Sequence, residues 1–224
     1  MSSPTEGRHS PLVLVRTLLS YFSVEWIILL LDLFATLHRW LPGNPDMYEI
    51  LEYESTLELT DTKGKMALFK KRQRVRFLQN NIIAFEDYAW GDGEILAGYK
   101  CTPGVVVDKY QEGDRWNILI SLRETKSKGD IEEFHIERTE KNTFTKAEEW
   151  LQTEVRRRTH RLKMNVIFPH GRHCKRAILT QRRHNRATVL GTEHFRLLPD
   201  GRQLVIWETT RVYPFDIYTL KWQW

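Results

Sequence analysis

Arg72, Arg74 and Arg76 recur at every second position. On a strand that spacing sets three guanidinium groups on one face, opposite Val75 and Phe77. Arg156, Arg157 and Arg158, followed by Arg161 and Lys163, make a second basic group. Lys175 and Arg176, then Arg182, Arg183 and Arg186, make a third, on what read as adjacent strands. A guanidinium carries a planar fork of donors that fits phosphate or carboxylate through two bonds at once. The chemistry these residues offer is capture of an anion on a rigid scaffold. The anion-binding set is Arg72, Arg74, Arg76, Arg156, Arg158, Arg161, Lys175, Arg182, Arg183 and Arg186. The competing reading is a solvated outer face, partly paired with Glu132, Glu133 and Glu137.

Other chemistry-bearing patterns are thinner. Trp90-Gly91-Asp92-Gly93-Glu94 follows Glu86 and Asp87. Its spacing does not match a calcium loop, and a tight turn over a packed Trp90 accounts for it. His170, His173 and Cys174 have the residue types for zinc but lack a second ligand pair at defined spacing. A hairpin tip at Pro169-His170-Gly171 is the plainer account. No G-x-S-x-G, phosphate-binding glycine loop or H-E-x-x-H occurs. Ser121, Asp130 and His135 make a triad only on paper. The expectation is a binding protein with no catalytic residues, no metal and no cofactor.

The elements that must position these side chains are strands. From Tyr48 onward, β-branched and aromatic residues recur in short runs separated by Gly, Asp, Asn and Pro. Trp116, Ile118, Ile120 and Leu122 alternate with Asn117, Leu119, Ser121 and Arg123. Leu162, Met164, Val166 and Phe168 alternate likewise, as do Tyr218, Leu220, Trp222 and Trp224 at the C-terminus. Asp61-Thr62-Lys63-Gly64 and Pro199-Asp200-Gly201 are turn signals, the second inside a clear hairpin. The pattern predicts eight or nine strands in an antiparallel sandwich or barrel, with one short helical piece around residues 146–152.

The N-terminus differs. Thr17 to Leu37 is a long apolar run interrupted by Glu25 and Asp32. On a helix Glu25, Asp32 and Arg39 fall nearly in line, beside Tyr21 and Thr36, and the rest of the circumference is apolar. Its apolar residues contribute about −4 to −7 kcal/mol to insertion, against about +2.5 to +3.5 for a central carboxylate. The near balance predicts a membrane helix that self-associates through Glu25 and Asp32, or one packed in a partner protein's groove. The expected organisation is a disordered tail over 1–10, a transmembrane helix over 11–41, a Pro-Gly linker over 42–47 and a β-rich domain over 48–224. Cys101 and Cys174 stand far apart in no motif, which fits a reducing compartment and a cytoplasmic β-domain.

Charge is distributed unevenly. The chain carries a formal net charge of +5. Residues 151–224 hold 15 basic and 5 acidic side chains, whereas residues 46–150 hold 16 and 21. Such polarity predicts an anionic partner at the basic end: a nucleotide or nucleic acid, a lipid headgroup, or an acidic protein face. The order of tail, hydrophobic helix, Pro-Gly break and all-β domain resembles membrane-anchored β-barrel effectors of prokaryotic anti-phage systems, whose barrels bind cyclic oligonucleotides. The resemblance is one of architecture, without a diagnostic motif. It implies an oligomeric membrane effector that senses a nucleotide ligand.

Overall fold

The computed structural model describes residues 46–91 and 94–224. Alternating side chains dominate these residues, and they form fourteen strands with one short 3₁₀ turn at Thr192–His194. The first two strands, β1 (Tyr48–Leu59) and β2 (Met66–Phe77), are a hairpin. Its turn is closed by the Asp61 carboxylate, which accepts from the backbone N–H groups of Lys63 and Met66 at 2.7 Å each. Gly64 supplies the left-handed residue at φ 67.

Seven strands make one sheet. Its spatial order is β12 (Phe195–Leu197), β13 (Gln203–Thr209), β9 (Leu162–Phe168), β1, β2, β7 (Ile131–Lys141) and β4 (Glu94–Thr102). A four-stranded sheet runs β11 (Arg186–Val189), β10 (Arg176–Gln181), β14 (Ile217–Gln223) and β8 (Glu148–Glu154). A three-stranded sheet runs β3 (Ile82–Trp90), β6 (Arg115–Lys126) and β5 (Val105–Glu112).

The odd residues of β2 explain how the layers meet. Ala67, Phe69, Lys71, Gln73, Val75 and Phe77 all point inward and are buried. Ala67 and Phe69 join a core with Leu57, Met164, Leu220 and Trp222, under the four-stranded sheet. Val75 and Phe77 join a second core with Phe85, Ile118, Ile120 and Phe134, under the three-stranded sheet. Both small sheets therefore cover the same face of the large one, side by side. Lys71 and Gln73 fall between the two apolar cores.

Four expectations are corrected. The sheets are open: β12 and β4, each paired on one side only, end the large sheet, so no closed barrel forms among the described residues. The large sheet is mixed, because β9 lies parallel to β1, from Tyr53↔Leu162 to Glu58↔Ile167. The helical piece around 146–152 is strand β8, whose Glu149, Leu151 and Thr153 face inward with period two while it pairs with β14. The strand number exceeds eight or nine because several strands, such as β11 and β12, are too short to leave a pattern.

The expectation of a membrane-spanning helix finds no support in the described residues. Among the described residues no helix is long and apolar enough to cross a membrane. The Thr17–Leu37 run, with Glu25 and Asp32, lies outside those residues.

Candidate functional site

The sequence-derived arginines divide by their surroundings. On the outer face of the large sheet, the β1–β2 register sets Glu54 opposite Arg72, Glu52 opposite Arg74 and Glu49 opposite Arg76. Arg72 bridges Glu52 at 2.9 Å, Glu133 at 3.0 Å and Glu54 at 3.4 Å. Arg74 reaches Glu52 at 3.5 Å, and Arg76 reaches Glu49 at 3.2 Å. The hydrogen bond from Arg72 holds the Glu52 carboxyl below the usual range. Glu49 is held low chiefly by the hydrogen bond from His160.

The second group is matched as well. Arg156 bonds Glu154 at 2.9 Å and lies over the Tyr88 ring at 4.6 Å. Arg158 approaches Glu49 at 3.7 Å, and Arg161 pairs with Glu208 at 2.8 Å. An arginine already facing one or more carboxylates has little net field to offer an incoming anion. On this side the solvated, paired face is what the structure contains.

The third group is different. β10 and β11 form a hairpin at the free edge of the four-stranded sheet, where Gln181 pairs with Arg186. Among the described residues, Lys175, Arg182, Arg186, Arg211 and Lys221 have no carboxylate partner, and all five are exposed. The outward row of this sheet runs Trp150, Lys221, Ile178 and Val189 across four strands. Next to it stand Gln152, Thr219, Thr180 and Ala187. All of these except Ile178 and Val189, with Arg182 and Arg186, line a trough of about 460 Å³. A second trough, of about 730 Å³, shares Gln181, Asn185 and Arg186 and is closed by His184, Arg211 and Tyr213. On β8, Glu148 is bonded by Gln223 at 3.1 Å, Glu149 faces inward and is buried, and Glu154 is held by Arg156. Arg183 turns back onto the Tyr213 ring at 5.1 Å, and its backbone N–H donates to Asp216 at 2.8 Å.

A buried polar seam separates the two cores. The Lys71 ammonium donates to the Asp87 carboxylate, and the Tyr99 hydroxyl donates to the same carboxylate at 2.7 Å. Lys71 is 5% exposed and Asp87 2%. Burial, reinforced by the Asp87 charge, pushes the Tyr99 hydroxyl far above its ordinary value. Gln73 and Thr153 line a cavity of about 50 Å³ here, each with a side-chain oxygen lacking a partner. A cavity that size has room for ordered water. The seam is enclosed and charge-balanced, which suits a structural role.

Lys71 is not singled out in the sequence, where the arginines at alternate positions carry the more prominent pattern. The signal was present: Phe69, Lys71, Gln73, Val75 and Phe77 share one face. Arg211, Tyr213, Phe215 and Lys221 are not singled out either, and they reach the basic edge from distant parts of the chain. The remaining motifs are dispersed. Ser121 lies in the three-stranded sheet, and His135 faces outward beside Glu133 at 3.0 Å. Pro169-His170-Gly171 forms the turn after β9, and burial pushes the Cys174 thiol up to about 12. Among the described residues, no group of three or more His, Cys, Asp or Glu side chains is arranged to hold a metal ion. Asp92 and Gly93 of the Trp90 motif lie outside the described residues.

Fold and surface together define a mainly β domain of open sheets, with a cluster of exposed cations lacking carboxylate partners at the edge of the four-stranded sheet. No protein-family model and no curated protein matches the chain. Among solved structures, it is similar to a mutant M1 zinc metallopeptidase from Deinococcus radiodurans, with 9% identity and a TM-score of 0.47. The same mutant bound to a Tyr-Ser-Ala substrate gives 8% and 0.49. Each match covers 78% of this chain and 42% of the peptidase, so the chain spans well under half its length. At that level the likeness carries no argument about activity. The expected resemblance to anti-phage barrel effectors is not carried by the fold: the described residues form no closed barrel, and no comparison points to membrane anchoring or antiviral defence.

Proposed function

We propose that residues 46–224 act as a non-enzymatic binding module for a phosphate-bearing ligand, taken at the basic edge of the four-stranded sheet. One observation carries this reading. Arg182, Arg186, Arg211 and Lys221 are left without carboxylates, whereas the arginines of the large sheet are matched nearly one for one. Uncompensated cations repel one another, and a surface tolerates them when a ligand supplies the opposite charge. Arg182 and Arg186 bracket the three-residue hairpin tip Arg183-His184-Asn185, where the Asn185 N–H donates to the Arg182 carbonyl at 3.1 Å, and both arginine side chains are exposed. The Thr180 hydroxyl donates to the Thr219 carbonyl and the Thr219 hydroxyl to the Gln152 amide oxygen, each at 3.3 Å, which leaves the Gln152 amide N–H₂ as the neutral donor among these three.

Calorimetric titration of the 224-residue chain with inorganic tripolyphosphate at low ionic strength tests the reading. Saturable binding is expected, and it should disappear in Arg182→Gln/Arg186→Gln. Absence of heat with the native chain, or binding unchanged in the double variant, would overturn it.

A further inference from the structure

We infer that the phosphates this edge takes are those of a single-stranded nucleic acid, whose bases stack on aromatic rings standing beside the arginines. The inference rests on the anion-binding reading and adds a second recognition element to it.

Phe215 is the observation that points there. Its side chain is 72% exposed, and its backbone sits at φ 61. A bulky residue enters the left-handed region only where its surroundings impose it, and such strain is commonest at functional sites. Here the surroundings are explicit. Phe215 N–H donates to the Val155 carbonyl at 2.7 Å, and Val155 N–H donates to the Asp216 carbonyl at 2.9 Å. The buried Asp216 carboxylate accepts from the backbone N–H groups of Arg183 and Ile217 at 2.8 Å each. The loop is thus held from both sides with an apolar ring turned to solvent. Burying that ring would be worth about 2 kcal/mol, which the fold forgoes.

The same bonds tie Phe215 to the cations. Arg183 N–H meets Asp216, and Arg182 N–H donates to Ile217 at 3.0 Å, so both arginines begin against the Phe215 loop. In sequence Phe215 falls between Tyr213, which lines one trough, and Ile217, which lines the other. Tyr213 is 37% exposed, with the Arg183 guanidinium over its ring at 5.1 Å and the His184 ring edge-on at 5.0 Å, so one face is already covered by a cation. Trp150, 36% exposed, ends the outward row of the sheet beside Lys221. Aromatic faces interleaved with free cations are what an unpaired strand needs, since each base has a π-face and each linkage a charge. A duplex hides its base faces and offers these rings nothing. A simple polyanion has no use for them either.

The test uses the full chain and three probes: a labelled oligothymidylate, the same strand paired with oligoadenylate, and inorganic tripolyphosphate. Phe215→Asn removes the ring and keeps a residue that tolerates positive φ. Oligothymidylate affinity should fall roughly 10- to 100-fold in this variant, with tripolyphosphate affinity unchanged. The native chain should bind the duplex more weakly than the single strand. Equal losses for both anions, no loss for oligothymidylate, or preference for the duplex would each overturn the inference. Those results leave the anion-binding reading standing, whereas failure of tripolyphosphate to bind at all removes both.

Discussion

Replacing Arg182 and Arg186 by glutamine removes two of the four unmatched cations that border the troughs, the others being Arg211 and Lys221. If all four meet phosphates of a single strand, the logarithm of affinity falls with the logarithm of salt at a slope of about −2.8. Between about 50 and 200 mM salt the native chain then loses roughly 50-fold in affinity, and the double variant, at a slope of about −1.4, loses about 7-fold. The assay is fluorescence anisotropy of a labelled oligothymidylate over a salt series. Arg72→Gln/Arg74→Gln is the control. Glu52, Glu54 and Glu133 already neutralise those guanidinium groups, so the slope should stay near the native value. A slope lowered by the large-sheet variant and untouched by the hairpin variant would refute the assignment of the basic edge, and with it the reasoning from unmatched charge.

Further outcomes follow from the scaffold. Lys71→Met strands the buried Asp87 charge and should cost about 3–5 kcal/mol, lowering Tm by about 6–20 °C. Lys71→Met/Asp87→Leu should recover most of that loss in thermal denaturation, and a double variant as unstable as the single one would count against the seam. Gly64→Ala sets a Cβ 1.7 Å from the Phe144 carbonyl oxygen at φ +67, so urea denaturation should register a loss of about 2 kcal/mol or more. Because Glu49 is held below its ordinary value of 4.5, its contribution to stability is complete above that pH and is lost as pH falls through the lower folded value. Glu49→Gln should flatten this acid limb of the stability curve, and an unchanged limb would show that other carboxylates carry it.

Much of the fold was legible because one face of each strand is buried. Leu162, Met164, Val166 and Phe168 were read as one face and are all fully buried in β9. The terminal Tyr218, Leu220, Trp222 and Trp224 pack into the core, with β14 held between β10 and β8. The Pro199-Asp200-Gly201 hairpin forms with Gly201 at φ 82. What periodicity does not encode is which strands pair across long stretches of chain. The β1–β9 pairing joins residues more than a hundred positions apart, and it makes the sheet mixed. Residues 146–152 lack strand character in composition, yet the Trp150↔Lys221 register fixes them in β8, so tertiary pairing overrides local preference.

The site was legible in part. The Arg182 to Arg186 run was visible as charge, but the missing carboxylates that single it out depend on the fold. The pairing of Arg72 and Arg74 was recoverable, since the Asp61–Gly64 turn sets the hairpin register that brings Glu54 and Glu52 opposite them, whereas Glu49 meets Arg76 only through a register shift between Ile50 and Glu52. Phe215 gave no signal, because its importance lies in a backbone angle and in exposure.

Arginine footprinting with phenylglyoxal, read by peptide mass spectrometry in the presence and absence of tripolyphosphate, locates the anion on the chain directly. The account predicts protection of Arg182, Arg186 and Arg211, with Arg74 and Arg158 modified equally in both conditions. Protection confined to Arg72, Arg74 and Arg76, or no protection anywhere, would contradict it.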